Sequence, residues 1–137
     1  VGAIPICGID TEGLAVLNSA FMIVCKDWDP FGVLAILNSS TIKFYWKQKF
    51  EDKRKTFPKI KGTYLELIPI AEPTDKLCEL GYKVSNLKKT NPFYDTTEME
   101  HKIDYLVYKL YGLTYDEVLI VDPETPITRK EYEISYE

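Results

Sequence analysis

The chain has one histidine, His101, and three cysteines, Cys7, Cys25 and Cys78, none close to another. With no pair at Cys-x-x-Cys spacing there is no zinc knuckle to read, so no metal site is expected. The odd, widely spaced set argues for reduced, partly buried thiols rather than a disulfide framework. His101 falls on the exposed side of a charged helix start, and no serine or cysteine has an evident base partner. The usual nucleophile and base arrangements are therefore missing. Asp27, Asp29 and the C-terminal carboxylates are more simply caps and solvated charge. No run approaches the ~18 apolar residues of a membrane span, and no basic-then-apolar leader opens the chain. A cytoplasmic protein without membrane contact is expected. Val1 begins the sequence without Met and directly in a β-like run, from which a piece of a larger polypeptide is expected.

What is present is one localised charge. The chain carries a formal net charge of −4, yet between Lys43 and Lys61 eight cations (Lys43, Lys47, Lys49, Lys53, Arg54, Lys55, Lys59, Lys61) face two acids (Glu51, Asp52). That island stands at +6 and the remainder at −10. A basic patch on an acidic protein concentrates its field on one surface and points to an anionic target, phosphates above all. The simpler alternative is a solvated helix end with local ion pairs. At 137 residues and 45% apolar content, the chain fits one compact domain plus at most an appendage.

Residues 3–9 and 14–25 are apolar and β-branched, separated by Asp10-Thr11-Glu12-Gly13 with the chemistry of a hairpin turn. Asp29-Pro30 supplies an N-cap and a proline at the first helical position, and Phe31, Leu34, Leu37 and Thr41 fall on one face. Asn38-Ser39-Ser40 prefers caps to helix interiors, so one helix is expected to about Leu37 and a second from about Ser40 to Lys49. In the second, Ile42, Tyr45, Trp46 and Lys49 share a side with Phe44 beside it, and aromatics at this spacing usually pack. Residues 51–55 are too charged to bury. Thr56-Phe57-Pro58 reads as a loop, and Lys59, Lys61 and Thr63 alternate as in a strand or extended loop. Residues 71–91 look like a linker with one short helix at 74–82, capped by Thr74. Residues 98–111 form a better helix, with Ile103, Leu106, Val107, Leu110 and Tyr111 at three-and-four spacing and Gly112 at its C-terminal stop. Thr114-Tyr115-Asp116-Glu117 opens a further turn with a capping box, ended by Asp122-Pro123. Residues 127–137 read as strand-like or frayed. The expected class is α+β: an N-terminal β-hairpin or sheet, packed helices and a C-terminal helical appendage, with the core in 1–73 and linker plus appendage in 74–137.

The order Leu34, Leu37, Asn38, Ser39, then Phe44 and Tyr45, then Phe57, Pro58, Lys59, Lys61, Tyr64, Leu65, Pro69 and Ile70 resembles the TaqI-like specificity domain. A second segment, Ile103-Asp104-Tyr105-Leu106-Val107-Tyr108-Lys109-Leu110-Tyr111-Gly112-Leu113-Thr114, is similar to the tail that often closes such enzymes. Two matches in order cover about half the chain. The resemblance implies a target-recognition domain of an adenine-N6 DNA methyltransferase or fused restriction-modification enzyme, related to the half-domains of type I specificity subunits. Its partners would be double-stranded DNA and a catalytic methyltransferase domain on the same or another chain, with or without an endonuclease domain. Lys49, Lys53, Arg54, Lys55, Lys59 and Lys61 would then contact phosphates. Thr56, Tyr64 and the turn at residues 10–13 are candidates to read base edges.

Asn91-Pro92-Phe93-Tyr94 resembles the N-P-P-Y/F motif of adenine-N6 methyltransferases but lacks the second proline. It also lies after the recognition region, and no glycine-rich loop after a strand offers a seat for S-adenosylmethionine. We read it as a turn. This fragment is expected to hold no cofactor and no catalytic site, S-adenosylmethionine belonging to the parent enzyme. The rival reading is a protein-interaction module whose basic island meets an acidic partner or subunit. An autonomous small enzyme is disfavoured because no site is written in the sequence.

Overall fold

The computed structural model describes residues 7–9, 23–49 and 66–134. Six helices occupy them: α1 (Pro30–Leu37), α2 (Ser40–Lys49), α3 (Asp75–Thr90), α4 (Thr97–Leu110), α5 (Tyr115–Val121) and α6 (Arg129–Glu133). Among the described residues there is no strand, and this overturns the α+β expectation. Most of the expected hairpin, including the turn at 10–13, lies outside the described residues. Its described ends, residues 7–9 and 23–25, enter no ladder. At Cys7 the reason is visible. Its backbone N–H donates to the Asn38 side-chain oxygen (3.1 Å) and its carbonyl accepts from the Asn38 amide (3.0 Å). A side-chain amide thus satisfies both groups that a neighbouring strand would have taken.

Helix α1 starts as its sequence dictates. The Asp29 carboxylate accepts from the Phe31 N–H at 2.9 Å, and Pro30 fills the first turn. Its burial is broader than a single stripe: Gly32, Val33, Ala35, Ile36 and Leu37 are all buried, while Phe31 and Leu34 are only partly so. Small residues make that possible. A Cβ on Gly32 would lie 2.5 Å from Pro73 Cβ and 2.6 Å from Cys78 Sγ. One on Gly81 of α3 would lie 2.2 Å from the Phe31 carbonyl oxygen. Helices α1 and α3 therefore approach until the backbone of one nearly touches the other.

Helix α3 is the largest departure from the linker reading. Thr74 caps it as expected, its hydroxyl accepting from the Leu77 N–H (3.3 Å), but the helix runs sixteen residues, to Thr90. Polar Lys83, Ser85 and Asn86 hide the pattern; Leu77, Leu80, Gly81 and Val84 supply the inward face. Tertiary packing on α1 overrides weak local propensity. The main core joins Val33, Ile36, Leu37, Ile42, Trp46 and Ile68 with Leu77, Leu80, Ile103 and Val107, so residues before and after position 73 share one cluster.

Helix α4 stops where Gly112 was expected to stop it. Gly112 takes φ 68°, the Leu113 N–H donates to the Tyr108 carbonyl (3.0 Å), and the Gly112 N–H donates to that of Lys109 (3.1 Å). This is the paired hydrogen-bond pattern of a Schellman end. The expected capping box at Thr114 and Glu117 is formed. A second one, Thr128 with Glu131, opens α6 and corrects the reading of residues 127–137 as strand-like or frayed. Against α4, Tyr132 and Val118 bury Tyr108 in a smaller cluster. The Tyr132 hydroxyl donates to the Leu113 carbonyl (2.7 Å), the Tyr115 hydroxyl donates to that of Ile127 (2.6 Å), and the Lys109 ammonium sits 4.0 Å from the Tyr132 ring centre.

Gly81→Ala should lower stability by about 2 kcal/mol or more in urea denaturation, because its methyl would meet rigid backbone and outweigh the ~1 kcal/mol helix-propensity gain. Gly8, with nothing within 4 Å of a built Cβ, is the control, and Gly8→Ala should stay within about 0.5 kcal/mol. Equal effects would show that the α1–α3 contact yields.

Candidate nucleic-acid interface

Helix α2 carries the first three cations of the basic island. Ile42 and Trp46, four apart, bury one side of it (Trp46 is 1% exposed), and Phe44 and Tyr45 are half-buried flanks. Structural use of these aromatics is what their helical spacing predicted. With that side fixed, Lys43, Lys47 and Lys49 are exposed. Lys47 and Lys49 also occupy the last turn, where a cation complements the helix dipole. Of the eight residues assigned to DNA from the sequence, Lys49 is described, at the outer end of α2. Lys53, Arg54, Lys55, Thr56, Lys59, Lys61 and Tyr64 lie outside the described residues.

The other end of α2 is a polar corner. The buried Ser39 hydroxyl donates to the Ile36 carbonyl (2.6 Å) and accepts from the Ile42 N–H (3.4 Å), so it caps α2 while tying it to α1. Ser40 reaches the other way. Its N–H and its hydroxyl donate to the two oxygens of Asp104 on α4, at 2.8 and 2.7 Å. A carboxylate gripping the first residue of a helix combines charge-assisted hydrogen bonds with a favourable dipole. A pocket of about 130 Å³ opens beside this corner, lined in part by Asn38, Ser40, Lys43, Glu100 and Asp104. Among the described residues no three His, Cys, Asp or Glu side chains converge as metal ligands.

Tyr111 makes a second bridge from α4. Its hydroxyl donates to the Pro69 carbonyl (2.6 Å) and accepts from the Ala71 N–H (3.1 Å), fixing the chain just before α3. The two sequence segments singled out, 34–70 and 103–114, thus meet through Ser40 with Asp104 and through Pro69 with Tyr111. Sequence reasoning missed both tyrosine and aspartate as tethers. The signal was available for Asp104: it is an acid on the side of α4 shared with Val107 and Tyr108, where a charge needs a partner.

Asn91-Pro92-Phe93-Tyr94 forms the turn between α3 and α4. The Asn91 side chain accepts from the Phe93 N–H (3.0 Å), and the Lys88 ammonium donates to the Tyr94 carbonyl (2.6 Å). The three cysteines are free and half-buried, and burial raises the Cys7 thiol.

Burial raises the Asp104 carboxyl above its ordinary value, against the opposing pull of the Ser40 hydrogen bonds and the Lys43 charge; Asp122 acts with burial. The folded chain therefore holds this proton more readily than the unfolded one. The group's contribution to stability falls as pH rises from the unfolded carboxyl value through the raised folded one, then levels off. Asp104→Asn removes that dependence. In urea denaturation between about pH 7 and pH 4, the parent should gain stability relative to the Asn variant as pH falls. A gap that stays constant or widens the other way would contradict the raised carboxyl.

Comparisons with curated proteins and with solved structures return no match. The model of the TaqI-like C-terminal specificity domain matches residues 2–70, a stretch that contains α1, the corner and all of α2 and the basic island. Half the chain, including every cation of that island, is thereby accounted for, and the chain belongs to the family of TaqI-like C-terminal specificity domains.

Proposed function

We propose that this chain is the DNA target-recognition part of an adenine-N6 methyltransferase of a restriction-modification system. Specificity domains of this family belong to methyltransferase-type enzymes and act in DNA recognition. The observation that carries the reading to particular residues is α2: one face locked into the core, and Lys43, Lys47 and Lys49 exposed at the head of a +6 island. On a chain of net charge −4 the overall field repels DNA, so only a local face can attract it. Lys49, Lys53, Arg54, Lys55, Lys59 and Lys61 contact phosphates and set register. Thr56, Tyr64 and the turn at 10–13 read base edges. A catalytic domain, on the same or another chain in the cytoplasm, supplies S-adenosylmethionine and the chemistry. No described helix is long and apolar enough to cross a membrane.

If those six cations each neutralise a phosphate, the slope of log K against log salt is about −5, and replacing Lys53, Arg54 and Lys55 together by Ala reduces its magnitude by about 3. Sequence preference should largely survive, because phosphate contacts position without specifying. Fluorescence anisotropy on duplexes across a salt series measures both. A triple variant with unchanged affinity and slope would move the acidic-partner reading ahead.

A further inference from the structure

We propose that the exposed face of α3 and the turn after it form a second DNA contact, one that takes an unpaired strand: Lys83 and Lys89 meet phosphates, and Phe93 stacks on a base. The inference rests on the recognition reading above only for the choice of polymer. Residues 82–94 hold three lysines and no acid. The described residues after them, 95–134, hold ten acids against four lysines and arginines, so these cations stand as a local island of their own. Helix α3 turns Leu77, Leu80 and Gly81 to the core. Tyr82, Asn86 and Lys89, at spacings of four and three, are exposed with Lys83 beside them.

At the end of that helix Phe93 is 93% exposed, the most of any large apolar side chain among the described residues, and Tyr94 next to it is 44% exposed. A single exposed apolar side chain needs no explanation. Two in succession on a fixed turn are a different matter. The Asn91 side chain accepts from the Phe93 N–H, the Tyr94 N–H donates to the Asn91 carbonyl (3.0 Å), and the Lys88 ammonium holds the Tyr94 carbonyl back to α3. The turn is closed by these bonds, and the Phe93 ring takes no part in them. The helix dipole accounts for cations in the last turn of α3. It does not account for Lys83 or for Phe93.

The chemistry of this face favours nucleic acid over a protein partner. Protein interfaces are depleted in lysine. Exposed rings set among lysines, with no acid between them, match single-strand binding, in which cations track the backbone and aromatic faces stack on bases. A paired duplex keeps its base faces covered, so Phe93 selects a strand whose bases are free. The six residues from Lys83 to Lys89 span about 9 Å of helix, and their flexible stems bring neighbouring phosphates of one strand within reach. Because the turn is already formed, little ordering is needed when it binds.

The test uses the full chain, a short fluorescein-labelled oligo(dT) and a fully paired duplex of mixed sequence, titrated by anisotropy at low salt with folding checked by circular dichroism. Phe93→Ala should weaken oligo(dT) binding about tenfold and duplex binding less than about twofold. Phe93→Trp should bind oligo(dT) as the parent does, and its added indole fluorescence should be quenched at saturation. Replacing Lys83 and Lys89 together by Ala should reduce the magnitude of the oligo(dT) salt slope by about 1.4. Ile120→Ala removes another exposed apolar side chain, on α5, and should change neither affinity. A Phe93→Ala chain that binds oligo(dT) as tightly as the parent, or a Phe93→Trp chain whose fluorescence is not quenched, overturns the proposal and leaves the turn to a protein partner. A parent that binds duplex but no oligo(dT) overturns this proposal alone. One that binds oligo(dT) through Phe93 but no duplex upholds it and sinks the recognition reading, and one that binds neither sinks both.

Discussion

The near-contact of α1 with α3 is the constraint on which the remaining geometry rests. It exists because Gly32 and Gly81 carry no Cβ: each fills the space where a methyl would meet Pro73, Cys78 or the Phe31 backbone. Close approach brings Val33, Ile36 and Leu37 within reach of Leu77 and Leu80, and α4 then completes the core with Ile103 and Val107. Only once α4 is seated can Asp104 meet Ser40 and Tyr111 meet Pro69 and Ala71. Apolar burial supplies the driving force, and the polar tethers choose among the ways the helices could pack.

Division of labour along α2 follows from the same arrangement. Its buried side and its N-terminus are fully committed to the protein: Trp46 and Ile42 to the core, Ser39 to α1, Ser40 to α4. The uncommitted surface is cationic. A helix of this kind need not change shape to meet an anion, so ordering costs at that face are small when it binds.

Much of the helical framework was legible because its punctuation is local. Asp29-Pro30, Thr74, Gly112 and the Thr114–Glu117 box each act within a turn of their own position, and each sits where the sequence put it. The Thr128–Glu131 box was equally local and was overlooked under an acidic tail. The β expectation failed for a different reason. β-branched, apolar runs state only that a segment is to be covered, and whether the cover is a strand or a side chain such as Asn38 depends on residues 31 positions away. Likewise the length of α3 was set by what packs on it, and the roles of Asp104 and Tyr111 by partners 64 and 42 residues distant. The basic island itself could be found by counting charge, and its described cations, Lys43, Lys47 and Lys49, are exposed on α2.

The Tyr111 hydroxyl gives the Pro69 to Ala71 segment an attachment that does not involve any residue between Lys49 and Pro69. Together with the Ser40 anchor, it secures both approaches to that stretch on one helix. Stretches of chain joined at fixed points can be lengthened at little thermodynamic expense, about 0.6 kcal/mol for each doubling. The two attachments themselves are made by residues outside that stretch, and changes within it leave the atoms of both hydrogen-bonded contacts in place.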